Sequence, residues 1–146
     1  MSLAQSPWAK CGNNRKNTNS SQYPTYTNGS TKWYYDTRLT SETYLNGICI
    51  GPQDELYVID GEVGLRSLTS NGATRWVNSE PFVTASVNRT PAIAQDGSIY
   101  VTYSDDPHLF KYDNNGTLEW KCLISESGDS SGSPTILEDG GIVVVG

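Results

Sequence analysis

Short stretches in which apolar and polar residues alternate run one after another along this chain. They are separated by clusters of Asn, Asp, Gly and Ser, and none sustains a 3.6-residue period. A period of two places successive side chains on opposite faces of a strand. The pattern predicts strands at 32–35, 47–50, 56–59, 64–68, 73–77, 91–94, 98–103, 109–112, 118–123, 134–137 and 141–145. Residues 1–27 are polar and irregular, and read as an N-terminal arm that lies on the surface or closes a sheet. The expected fold class is all-β.

The breaks between strands recur in order. Gln53-Asp54, Gln95-Asp96-Gly97 and Glu138-Asp139-Gly140 separate first from second strands, and Ser70-Asn71-Gly72 and Asn114-Asn115-Gly116 separate third from fourth. Asn-Gly and Asp-Gly are strong hairpin signals because glycine accepts positive φ without a steric penalty. One phrase returns as Asn28-Gly29-Ser30-Thr31-Lys32-Trp33, Asn71-Gly72-Ala73-Thr74-Arg75-Trp76 and Asn115-Gly116-Thr117-Leu118-Glu119-Trp120, its tryptophans 43 and 44 residues apart. A second phrase, Glu55-Leu56-Tyr57-Val58, Ser98-Ile99-Tyr100-Val101 and Gly141-Ile142-Val143-Val144, keeps the same step. Four short strands per unit at this period point to β-propeller blades. Residues 28–146 are then a repeat array, with full four-stranded antiparallel meanders near 45–78 and 89–123 and partial blades at both ends. The repeated positions Trp33, Trp76, Trp120, Gly72, Gly116, Tyr57 and Tyr100 read as structural: a residue used in every unit packs units together, whereas a ligand site is used once.

The net charge of −6 excludes the clustered Lys and Arg of a nucleic-acid groove. Lys10, Arg15 and Lys16 are the only basic grouping and read as a solvated segment. No apolar run approaches the roughly 18 residues of a membrane span. Three cysteines, Cys11, Cys49 and Cys122, lack zinc-site spacing. Cys49 and Cys122 fall in expected strands as small buried hydrophobes, and any pairing with Cys11 stays open. Sequons stand at Asn19, Asn28, Asn88 and Asn115, and no signal-peptide pattern is visible at Met1. His108 is the single histidine and has no nucleophile motif beside it, so it reads as a loop residue ahead of a third strand. Asp60, Asp105, Asp106 and Asp113 stand where turns favour Asp. Asp105-Asp106 could offer oxygen ligands to calcium, a weak signal. No other cofactor is expected.

The repeats resemble the pyrroloquinoline-quinone-type β-propeller family of quinoprotein dehydrogenases and their non-enzymatic relatives. The likeness rests on Pro91-Ala92-Ile93-Ala94-Gln95-Asp96-Gly97-Ser98-Ile99-Tyr100-Val101 as a first hairpin. It rests also on Leu109-Phe110-Lys111-Tyr112-Asp113-Asn114-Asn115-Gly116-Thr117-Leu118-Glu119-Trp120 as third and fourth strands with a tryptophan docking motif, and on Ser6-Pro7-Trp8-Ala9-Lys10-Cys11-Gly12 with Arg15-Lys16-Asn17-Thr18 as an opening segment. Asn71 and Asn115 replace the family's Thr, and Ser67 and Lys111 its Ala, which is similar to the non-quinone branch. The resemblance implies an extracytoplasmic location and says little about function.

Two full blades and partial ones do not close a propeller, which takes about four blades or more. The open edges imply a longer propeller, self-association or a protein partner that covers the ends. The leading expectation is a non-catalytic binding or assembly scaffold that presents the loops at 78–89 and 125–133. One alternative is an N-terminal fragment of a quinone-dependent dehydrogenase. Another is a structural component of an envelope or particle that assembles through its sheet edges.

Overall fold

The computed structural model describes residues 2–6, 8–11, 31–36, 45–60, 64–79, 89–104, 106–126 and 132–145. Their regular structure is entirely β. Sheet 1 is the antiparallel meander of β1 (Leu45–Ile50), β2 (Leu56–Asp60), β3 (Gly64–Leu68) and β4 (Thr74–Asn78). Sheet 2 repeats that order with β5 (Ala92–Ile93), β6 (Ile99–Tyr103), β7 (Asp106–Tyr112) and β8 (Leu118–Leu123). A two-stranded sheet of β9 (Thr135–Ile136) and β10 (Ile142–Val143) follows. The strands do not close into a barrel.

Local chemistry explains the meanders. Ile, Val, Tyr and Thr crowd β2 and β6, where branched and aromatic side chains fit a pleated surface. The first hairpins carry a left-handed residue at one equivalent place: Asp54 in sheet 1, Gly97 in sheet 2 and Gly140 in the short sheet. Asp tolerates that conformation better than most side chains do. The registers match as well. Val58 faces Arg66 across β2 and β3, as Val101 faces Phe110 across β6 and β7.

Two expected strands differ. Residues 31–36 are not in a ladder. They have no strand neighbour among the described residues, and side chains of Trp33 and Tyr35 hold them to sheet 1. The third strand of sheet 2 starts earlier than expected, so His108 lies within β7.

The N-terminal arm does not simply lie on the surface. Leu3 bridges Ala94, Ala4 N–H donates to Ile93 O, Ile93 N–H to Ala9 O, and Ile50 N–H to Trp8 O. Residues 2–6 and 8–11 thus satisfy backbone groups on β5 and at the end of β1, which would otherwise be bare edges. Leu3, Ala4 and Ala9 join the apolar core, which gathers Tyr57, Ile59 and Leu65 from sheet 1 and Ile93, Val101, Phe110 and Tyr112 from sheet 2. Lys10 is also buried rather than solvated, and its ammonium donates to Cys11 O. Burial pulls its pKa below the usual lysine value, although the nearby Cys11 and Cys49 oppose this. Within sheet 1, the buried Arg66 guanidinium meets the buried Asp60 carboxylate at 2.5 Å.

Cys49 is fully buried and its thiol donates to Pro91 O at 2.8 Å, tying β1 to the start of β5. Cys122 is exposed on β8, because that strand's outer face is uncovered. Burial pushes the Cys49 thiol well above its ordinary 9.0. The folded chain therefore holds that proton more tightly than the unfolded chain does. The associated stability is present below about pH 9 and declines as pH rises past it. Cys49→Ala is expected to be the less stable protein at pH 7. The gap to wild type should narrow by about 1.4 kcal/mol per pH unit above pH 9. Urea unfolding at several pH values checks this.

Candidate functional site

The most specific side-chain arrangement in the chain is the join between consecutive sheets, built around one tryptophan. Trp76 sits in β4, two residues before Asn78, so period two puts both on one face. The Trp76 indole N–H donates to Asn114 O at 2.9 Å, in the turn between β7 and β8. Its six-membered ring lies on Gly116. That glycine has φ +83°, and a Cβ built there would stand 2.7 Å from Trp76 Cε3. Only glycine meets both demands, a left-handed backbone and a bare surface for an indole.

Polar contacts surround the ring. Asn78 Nδ2 donates to Gly116 O at 2.6 Å. Arg75 donates to Ser67 Oγ at 2.8 Å and to Asn114 Oδ1 at 3.1 Å. The Tyr57 hydroxyl lies 2.8 Å from Asn114 Oδ1, and its ring sits beside Trp76 with centroids 6.0 Å apart. Burial, with the neighbouring Glu55 carboxylate, raises the Tyr57 pKa, so the hydroxyl stays protonated. Asn114 thus accepts from sheet 1 through both its carbonyls.

The same contact occurs one unit earlier. Trp33 Nε1 donates to Ser70 O at 3.0 Å, and a Cβ on Gly72, at φ +87°, would meet Trp33 Cε3 at 2.8 Å. Two residues on, the Tyr35 hydroxyl reaches Thr74 Oγ1 at 3.1 Å and accepts from Arg66 Nη1 at 2.7 Å. Trp33 and Tyr35 roof an apolar cavity of about 180 Å³ whose floor is Ile48, Leu56, Val58, Arg66 and Leu68.

Trp120 shows the donor half alone. It lies beside Tyr100 as Trp76 lies beside Tyr57, with centroids again 6.0 Å apart, yet 40% of its surface is exposed. Glu119 holds the place of Arg75 and pairs with Lys111 at 2.5 Å within its own sheet.

The repeated positions therefore fall into two joins and one uncovered face. Trp33 meets Gly72, Trp76 meets Gly116 over Tyr57, and Trp120 rests on Tyr100 with its outer surface free. Sequence reasoning missed Asn114, Arg75 and Asn78. Asn78 was reachable from its spacing to Trp76, but which carbonyl an indole finds depends on where the next sheet sits.

The remaining candidate chemistry is local. His108 Nδ1 lies 2.5 Å from Asp106 Oδ1, a contact between near neighbours of one strand. Asp113 accepts from the backbone of Asn115 and Thr117, as a turn carboxylate does. Asp105 lies outside the described residues, as do most of the loops at 78–89 and 125–133. No group of three or more His, Cys, Asp or Glu that could hold a metal occurs among the described residues. Among the described residues, no helix is long and apolar enough to cross a membrane. The chain matches no protein-family model and no curated protein.

Gly116→Ala is expected to destabilise the chain by about 3 kcal/mol, from backbone strain plus displacement of the indole. Gly97→Ala is the control. Its φ is +85°, but its Cβ would meet Asn114 Cβ at an ordinary 3.4 Å, so only the strain of about 1 kcal/mol applies. Urea unfolding of both variants measures the difference, which isolates the tryptophan contact.

Proposed function

We propose that this chain is a non-catalytic stretch of β-propeller-type repeats that serves as a binding or assembly scaffold. One observation carries the reading. Successive units join through the same indole-on-glycine contact, at Trp33 on Gly72 and at Trp76 on Gly116. Such a chain grows by adding units, each stabilised by its neighbours. Two four-stranded meanders of the same strand order, followed by the first hairpin of another, fit blades in series. The polar groups in the Trp76 join, half-buried apart from the buried Tyr57, engage one another, so their chemistry is spent on assembly. Asn114, Arg75, Tyr57 and Asn78 all have partners across the join.

The resemblance of the repeats to the quinone-type propeller family supports this reading. The loops joining one sheet to the next would then carry recognition, because connections on a rigid framework can vary without disturbing it.

The array reading expects one cooperative unfolding transition for both sheets. Trp76→Ala should cost about 3–5 kcal/mol and separate the loss of sheet 1 from that of sheet 2. Urea titration followed by far-ultraviolet dichroism and tryptophan fluorescence tests this. Two separate transitions in the unaltered chain would overturn the array. The non-catalytic part has its own test. Titration with pyrroloquinoline quinone and calcium should leave the cofactor absorbance unshifted. A stoichiometric shift would move the reading to a fragment of a quinone-dependent dehydrogenase.

A further inference from the structure

The two sheets share a strand order but fill one face differently. Strand β2 reads Leu56-Tyr57-Val58-Ile59-Asp60, and β6 reads Ile99-Tyr100-Val101-Thr102-Tyr103. Leu68 and Arg66 lie opposite Leu56 and Val58, as Tyr112 and Phe110 lie opposite Ile99 and Val101. Asp60, Arg66 and Leu68 are therefore the counterparts of Tyr103, Phe110 and Tyr112. In sheet 2 those three are rings packed on one another. Tyr103 meets Phe110 edge-on with centroids 5.2 Å apart, and Phe110 stacks on Tyr112 with an interplanar angle of 11°. All three are buried, so the chain's own aromatic groups fill this face.

Sheet 1 has an ion pair and a leucine in their place. The Arg66 guanidinium is held through both terminal nitrogens, by Asp60 at 2.5 Å and by the Tyr35 hydroxyl at 2.7 Å. Pinned in this way, it leaves open the space above Leu56, Val58 and Leu68, the cavity of about 180 Å³. The polar atoms of the wall are committed elsewhere. Trp33 Nε1 donates to Ser70 O, and Tyr35 shares its hydroxyl with Thr74 and Arg66. Arg66 Nε has no partner among the described residues, but it is fully buried and does not open onto the space. A water needs about two to four polar partners, so this cavity favours an apolar guest. An apolar void of about 150 Å³ is enough to take up benzene.

We propose that this cavity is a binding site for a small, neutral molecule with a single aromatic ring. Such a guest supplies from outside the ring that Phe110 and Tyr112 supply in sheet 2. Three features set its chemistry. The volume limits it to one ring. The wall offers no free partner to a charged group, whose loss of water would go uncompensated. The Trp33 and Tyr35 rings above favour an aromatic guest over an aliphatic one of equal size, because contacts between rings add to area burial. Ile48 also lines the cavity and is 52% exposed, which puts the entrance on its side. The site goes beyond the scaffold reading, whose joins need no guest.

Titration of the full chain with fluorobenzene, followed by fluorine nuclear magnetic resonance, tests this. The resonance should shift and saturate at one site per chain. Fluorocyclohexane should bind about 2- to 10-fold more weakly. Leu68→Phe supplies a ring from the chain itself, and Ile48→Trp closes the entrance. Each should abolish the saturable shift while the far-ultraviolet dichroism spectrum stays unchanged. Ile48→Trp, at an exposed position, decides the matter if Leu68→Phe loses its β spectrum. Leu123→Ala, exposed on β8, should leave the titration as it is. Four results would each overturn the proposal: no saturable shift up to the solubility of fluorobenzene, binding that survives in a folded Leu68→Phe or Ile48→Trp, binding lost in Leu123→Ala, or equal binding of fluorocyclohexane.

Discussion

An indole lying on a glycine is the contact on which the rest of this structure depends. A four-stranded antiparallel sheet with two apolar faces is not stable in water by itself. It needs a neighbour on each face, and the neighbour must arrive in one register. Trp76 provides both. Its ring fills the space over Gly116, and its N–H must find Asn114 O, so a shift of the next sheet would lose a hydrogen bond and open a gap at once. A buried donor without a partner costs about 1–3 kcal/mol, which makes the position specific as well as favourable.

The polar shell around that ring extends the constraint. Arg75, Tyr57 and Asn78 all reach the β7–β8 turn, while Asn114 turns its backbone and side-chain carbonyls toward sheet 1. Directional bonds fix the angle between sheets more tightly than apolar packing, which tolerates sliding. In sheet 2 the arrangement changes. Glu119 stands in the place of Arg75 and is bound to Lys111 in its own sheet, so the Trp120 face keeps the ring but lacks the guanidinium clamp.

The N-terminal segment supplies a second constraint of a different kind. The sheets join through side chains, but residues 2–6 and 8–11 join them through backbone, with Trp8 bonded to Ile50 and Ala4 and Ala9 bonded to Ile93. Its small residues matter, because Ala4 and Ala9 let the chain approach the sheet edges closely enough for these bonds while joining the core themselves.

Much of this was legible in the sequence, for a definable reason. Strand periodicity and glycine turns are local, so an Asn-Gly between two alternating stretches means a hairpin almost wherever it occurs. The four-stranded meanders, the all-β class and the recurring tryptophans follow from such short-range signals. Those signals could not show that Lys10 is buried, that Cys122 is exposed while Cys49 is not, or that residues 31–36 lack a ladder partner among the described residues. Each of these depends on what lies across a sheet face, which is set by residues about 40 positions away. The sequence by itself determined where strands and turns form and which residues repeat. Only the tertiary structure decided which faces are covered, because coverage depends on how sheets stack and not on the pattern within any one of them.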